Sequence, residues 1–406
     1  MTSSEDNAWK MLVVLSLAEL LGMSVWFSAS SVSPQLQALW NLDSSQAGWL
    51  TTCVSLGFVA GTAVAAVLNL ADVLPARWYF AASALLAALA SAGLVVSPGY
   101  ATALVLRFLT GMFLAGVYPV AMKMAATWFR SGRGLAIGIL IGALTLGKAT
   151  PYLLRALEGT GFRVVILTSS ACALLGGMLI AVFYREGPHS FERRPFSWQL
   201  AGTVIRHRPT RLAIGGYLGH MWELYAMWTW IPAFLAASLA SWGHANGTTL
   251  APWWGHLLAF GAIAAGGLGS LWGGWAADRI GRERLVNRAM ALSGLCAILM
   301  GFTYGMNPWV VGLLAWTWGF FVVADSAQFS TLVTEVTPSH AVGTALTLQT
   351  SLGFLLTMVT IQSIPAIVDW QGWRGAFAML ALGPVAGIWA IRKLMRLRAA
   401  EATARE

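Results

Sequence analysis

The sequence predicts an all-α polytopic membrane protein, with twelve spanning helices in two pseudo-symmetric bundles of six. Three observations predict it. The chain of 406 residues is 57% hydrophobic and 10% charged, whereas soluble domains carry about 25% charged residues. Apolar runs of spanning length recur along the whole chain. The halves also repeat: ELLGMSVW at 19–26 and ELYAMWTW at 223–230 share Glu-Leu-x-x-Met-x-x-Trp, 204 residues apart.

The elements follow in order. A span needs about 20 residues, more when tilted. The polar start MTSSEDNAWK runs directly into an apolar segment without a cleavage pattern, so the first helix is expected to stay as an anchor. Helices are expected near 9–33, 44–70, 77–96, 101–127, 134–156, 162–184, 211–238, 253–276, 285–304, 308–332, 342–366 and 373–391. Irregular backbone cannot face lipid, so the bundle should be helical throughout. A basic, proline-interrupted stretch separates six helices from six. The expected division is 1–184, a cytoplasmic linker 185–210, and 211–406 with a short basic tail.

A net charge of +9 raises nucleic acid as a partner. The placement of the charge excludes it, because the basic residues sit in short loops between apolar segments. With the N-terminus in the cytoplasm, 20 Lys and Arg fall on that side and 3, Arg155, Arg163 and Arg374, fall outside. That bias puts both termini in the cytoplasm. Abundant Ala and Arg-over-Lys usage point to a GC-rich bacterium, and the expected location is the bacterial inner membrane. Cys53, Cys172 and Cys296 all lie inside expected helices, so neither a disulfide framework nor metal-ligand spacing is visible. No cofactor is expected, and helix packing asks for no oligomer, so a monomer is expected.

The repeat extends beyond the opening motif. Asp72 in LADVLPAR and Asp278 in AADRIGRER lie 206 residues apart, and Gly134 and Gly343 lie 209 apart. GGWAADRIGRER at 273–284 resembles the Gly-x-x-x-Asp-Arg-x-Gly-Arg-Arg loop of the major facilitator superfamily. The N-half copy keeps Asp72 but loses the glycine and arginine that follow. LRFLTGMFLAG at 106–116 resembles the superfamily's helix-4 motif, with Arg107 as its arginine. WFRSGRGLAIG at 128–138 is similar to bacterial members of the nitrate/cyanate and organic-anion type. The resemblance implies the major facilitator fold: two bundles around a central cavity, lined chiefly by helices 1, 4, 7 and 10, that rock in alternating access. It also implies that Asp72, Asp278, Arg279 and Arg282 form an inner gate, with mere anchoring of the arginines as the alternative.

Away from the helix ends, five charged residues fall inside the expected helices: Glu19, Arg107, Lys148, Glu223 and Asp325. Each costs about 2.5–3.5 kcal/mol or more near mid-bilayer, so each is a functional candidate. Met23 and Trp26 share a helical face with Glu19, as Met227 and Trp230 do with Glu223. Both glutamates lie roughly 15–18 Å from the cytoplasmic helix end, at about 1.5 Å per residue. Repeat symmetry therefore sets them on opposing walls of one cavity. Burial disfavours a charged carboxylate, which suits proton carriers; an ion pair of Glu19 with Arg107 or Lys148 is the alternative. Arg107 offers a planar fork for an anion and Lys148 a point charge. Lys148 stands on the small-residue face of GALTLGKATP. Asp325 and His220 are further proton-coupling candidates, with capping or arginine pairing the alternative for Asp325. Trp26, Trp230 and Tyr118 are expected to wall the site.

The expectation is a secondary transporter, not an enzyme, moving a small anionic or carboxylate-bearing solute with protons. A drug–proton antiporter for cationic or aromatic compounds and a transporter-like solute sensor are the alternatives. No phosphate-binding loop is present, so ATP-driven transport is not expected.

Overall fold

The computed structural model describes residues 3–129, 133–157, 160–189 and 197–403, with side chains for all of these except 3–6, 71, 72, 133, 198, 402 and 403. Among them the regular structure is helical throughout. The long rods are α1 (Ser3–Met23), α2 (Ser44–Val67), α3 (Ala76–Gly93), α4 (Tyr100–Ala126), α5 (Arg133–Ala156) and α6 (Phe162–Phe183). The second set is α7 (Arg208–Ala245), α8 (Trp253–Ile280), α9 (Arg282–Phe302), α10 (Pro308–Val336), α11 (342–371) and α12 (373–403). Helical hydrogen bonding bridges α11 and α12, but Gly372 at φ 68° breaks the axis between them. Only a residue without a Cβ takes that left-handed conformation at little cost.

Local chemistry explains several ends. Asp43 and Gln46 form a reciprocal capping box at the start of α2, satisfying two amides that would otherwise be left bare. Asn307 caps α10 ahead of Pro308, whose missing N–H is harmless in a first turn.

Besides a one-residue interruption of α12 at Ala381, three rods are discontinuous. α1 stops at Met23, and the chain turns before a short helix at Ser28–Ser31. The expectation of one continuous helix over 9–33 is therefore corrected. α4 breaks before Tyr118–Ala126, which has Pro119 in its first turn. α10 breaks at Asp325. Broken helices at membrane depth are tolerated only where protein or a cavity supplies the lost hydrogen bonds.

Within each half the same pair of helices meets backbone to backbone. A Cβ on Gly111 of α4 would run into the Val54 carbonyl of α2. A Cβ on Gly319 of α10 would run into the Ala262 carbonyl of α8. Both the glycines and their partners lie 208 residues apart, so the sequence repeat is a packing repeat. Small residues are what allow such approach in lipid, where burial of apolar area no longer drives association.

Between the halves, α5 packs along α8 and α2 along α11. Gly142 faces Gly267, and the Ser270 hydroxyl donates to the Gly138 carbonyl at 3.4 Å. At the end remote from the termini, the Gln362 amide donates to the Thr52 hydroxyl at 2.9 Å and its carbonyl accepts from Ser45 at 3.2 Å.

Candidate functional site

Gly147 lets α5 touch α1, because a Cβ there would strike the Leu20 carbonyl. Their sequence neighbours, Lys148 and Glu19, are thereby brought into one region. They do not form an ion pair. Both Glu19 carboxylate oxygens are buried without a hydrogen-bond partner. The Lys148 ammonium turns across the interface and donates to the Tyr225 hydroxyl of α7 at 2.5 Å. It lies 4.1 Å from the Trp26 ring centroid, 4.6 Å from Tyr225 and 5.1 Å from Trp228. Cation–π attraction of this kind strengthens when desolvated.

These rings belong to a continuous aromatic wall. Trp26 packs on Phe58 at 5.3 Å, Phe58 on Phe354 at 4.7 Å, Phe354 on Tyr225 at 5.0 Å and Tyr225 on Trp228 at 5.3 Å. The wall and Lys148 line a cavity of about 90 Å³ between the halves, together with Tyr118, Tyr217, His220 and Ser326. Ser330, exposed on the termini-bearing part of α10, stands at its mouth. The indole N–H groups of Trp26 and Trp228 are buried without partners.

The other expected residues are placed differently. Arg107 is fully buried and lies outside the cavity lining. It donates to the Leu50 carbonyl at 3.1 Å, the Val25 carbonyl at 3.0 Å and the Trp26 carbonyl. Val25 and Trp26 sit in the break of α1, whose carbonyls have lost their helical donors. The fork of α4 thus closes the gap in α1.

Glu223 does not face Glu19 across the cavity, as symmetry suggested. Trp318 Nε1 of α10 donates to one of its oxygens at 2.7 Å and Ser293 of α9 to the other at 2.8 Å. It is held inside the second half, and neither glutamate lines the cavity. Trp230 also points elsewhere, donating to the Ile361 carbonyl at 2.9 Å.

The Asp325 side chain does not cap the second segment of α10, and among the described residues it meets no arginine. Its Oδ1 lies 2.9 Å from His220 Nδ1, though misaligned for a hydrogen bond. His220 Nε2 in turn meets the Ser326 hydroxyl at 3.1 Å. At the termini-bearing end Arg282 contacts Glu335 at 2.9 Å, Gln328 at 3.1 Å and Asp278 at 3.8 Å, all in the second half. Arg279 stacks on Trp275 at 3.9 Å. Asp278 alone of these reaches toward the first half, beside Gly134 in the first turn of α5. Asp72 lies in the short helix Leu70–Val73, and its side chain falls outside the described ones.

Sequence reasoning missed Tyr225, Trp228, Phe58 and Phe354. Tyr225 and Trp228 sit three apart within ELYAMWTW, on one helical face, and that spacing was the available signal. No local pattern marks Phe58 or Phe354, which meet only through α2–α11 packing.

A mobile-carrier architecture is what this geometry describes: two helical halves, a central cavity between them and a buried charge inside it. The family model of the Major Facilitator Superfamily matches residues 15–361, and the chain belongs to that superfamily. It is 23% identical over 421 aligned residues to a hexuronate transporter of Escherichia coli (strain K12), covering 94% of this chain and 93% of that protein. It is 23% identical to a niacin transporter of Acinetobacter baylyi, covering 68% of each. The crystal structure of the nucleoside transporter NupG, in a point-mutant form, superposes with a TM-score of 0.72 at 14% identity, over 95% of this chain and 99% of that one. That likeness shows the shared fold.

Proposed function

We propose that this protein moves a small organic anion across a bacterial inner membrane together with a proton, by alternating access, with both termini in the cytoplasm. The observation that carries this reading is Lys148. Its buried ammonium faces the cavity between the halves and donates to a phenol hydroxyl rather than to a carboxylate. A buried unneutralised cation is costly, and an anionic ligand relieves the cost. The hexuronate and niacin named for the two relatives are carboxylate-bearing solutes, which supports the same sign. A cationic drug would meet Lys148, with no Asp or Glu among the described residues of the cavity lining.

Glu19 supplies the coupling. With Glu19 ionised, Lys148 is offset and holds an anion weakly. A ligand carboxylate bound at Lys148 would then share a low-dielectric region with a second carboxylate, so Glu19 takes up a proton. One proton and one anion move together because that combination leaves the closed site nearest to neutral. Arg107 holds the α1 break in shape, and Glu223 ties α7 to α9 and α10. His220 lines the cavity and has Asp325 behind it at 2.9 Å, so these two remain further coupling candidates.

The test is uptake by proteoliposomes holding purified protein, with benzoate and glucuronate as probes. Under an inside-alkaline gradient, Glu19→Gln should lose accumulation while keeping exchange of anion against anion. Accumulation at the wild-type level in that variant would overturn the coupling role.

A further inference from the structure

Resting on the anion reading above, we infer that the ligand is a small planar monocarboxylate with an aromatic body, rather than a polyhydroxylated sugar acid. The lining is divided by chemistry. One side is the ring wall of Trp26, Phe58, Tyr225, Trp228 and Phe354, joined by centroid spacings of 4.7–5.8 Å. Within that wall stand the Lys148 ammonium and two buried indole N–H groups that have no partner. Buried donors rarely stay unpaired without a functional reason. A carboxylate, which only accepts hydrogen bonds, is the ligand group that suits donors of this kind.

The remaining polar groups do not suit a sugar. Among the described residues no Asn, Gln, Asp, Glu or Arg side chain lines the cavity. Several of its hydroxyls already have partners: Tyr225 accepts from Lys148, Ser326 meets His220, and Thr145 donates to the Ile141 carbonyl. Sites that select polyols hydrogen-bond each hydroxyl, because an unmatched buried hydroxyl costs binding energy. Here the ligand body would meet ring faces instead. Ring faces favour another ring over a saturated body of equal size. The cavity of about 90 Å³ is also smaller than the roughly 300–1,000 Å³ of drug-sized pockets, so the ring system is small.

The experiment is calorimetric titration of the purified full chain with benzoate, cyclohexanecarboxylate and glucuronate. Benzoate and cyclohexanecarboxylate share charge and carbon count and differ in planarity. Benzoate is expected to bind tightest, about fivefold more tightly than cyclohexanecarboxylate, with glucuronate weaker than both. In Trp228→Leu the preference for benzoate over cyclohexanecarboxylate should collapse to within about twofold; a preference that survives intact overturns the role of the wall. The ligand series on the unmodified chain stands even if that variant does not fold. Glucuronate binding tighter than benzoate, and lost in Lys148→Met, would overturn the aromatic assignment and leave the anion reading standing. Binding of none of the three carboxylates would overturn both.

Discussion

Lys148 of α5 donates to the hydroxyl of Tyr225 on α7 at 2.5 Å, so a buried cation of the first half is held by the second half at the centre of the molecule. The bond crosses the interface that the proposed alternating access would open and close. Ligand binding and the state of the interface therefore meet at one ammonium group.

Replacing Lys148 with Met keeps the stem and removes the charge. Anion affinity should fall by about 1.5–3 kcal/mol, the scale of a charged hydrogen bond, or roughly ten- to over a hundredfold. The melting temperature should not fall, since the variant removes a buried unneutralised cation. Calorimetry and thermal unfolding of the same sample check both. Unchanged or improved affinity for a cationic ligand, with none for anions, would reverse the sign assigned to the cavity.

Arg107 should behave oppositely. Met at this position removes three hydrogen bonds to carbonyls, at about 1 kcal/mol or more each, so the protein should lose about 3 kcal/mol of stability. Lys should restore only part, because a point donor cannot span the break as the fork does. Melting curves in detergent give the ranking wild type, Lys, Met. A Met variant as stable as wild type would show that the α1 break supports itself.

Glu223 and Glu19 should separate. Glu223→Ala strands the Trp318 N–H and the Ser293 hydroxyl, costing about 2 kcal/mol or more. Glu223→Gln keeps an acceptor for Trp318 and should retain proton-driven accumulation, unlike Glu19→Gln. Parallel uptake assays on the two Gln variants decide the matter; equal loss in both would make the glutamates equivalent carriers.

Gln362 bridges Thr52 and Ser45 at the end remote from the termini. Gln362→Ala removes two cross-half hydrogen bonds, together about 1–3 kcal/mol. The population open at that end should rise about fivefold or more. Spin labels at Asn41 and Asp369, in a background lacking the three native cysteines, report the distance distribution. An unmoved distribution would mean that other contacts hold that end shut.

Asp278 works at the opposite end. Its carboxylate lies near Gly134 in the first turn of α5, where a negative charge is worth about 0.3–1 kcal/mol against the helix dipole. Asp278→Asn should shift the balance up to about fivefold toward opening at the termini-bearing end. Labels at Arg185 and Arg284, both exposed at that end, would read it by the same method.

The sequence by itself determined the twelve helices, the repeat and the intramembrane charges. Each follows from a cost that lipid imposes locally. Backbone must be hydrogen-bonded within its own helix, and a charge among apolar residues stands out because it is expensive there. Close contact also leaves a local trace, as in the glycines that let α2 meet α4 and α8 meet α10. What those charges do was decided by tertiary structure. Glu19 and Glu223 carry the same motif, yet Trp318 and Ser293 satisfy one and nothing satisfies the other. Arg107 looks like an anion ligand until its three carbonyl partners, drawn from two other helices, are in place. The break in α1 has no proline or glycine between Ser24 and Phe27 to announce it; a guanidinium about 80 residues away makes it tolerable. Asp325 took its partner from His220 on α7 rather than from a nearby arginine. A buried polar group takes its role from whichever partners packing delivers, and those partners are distant in sequence.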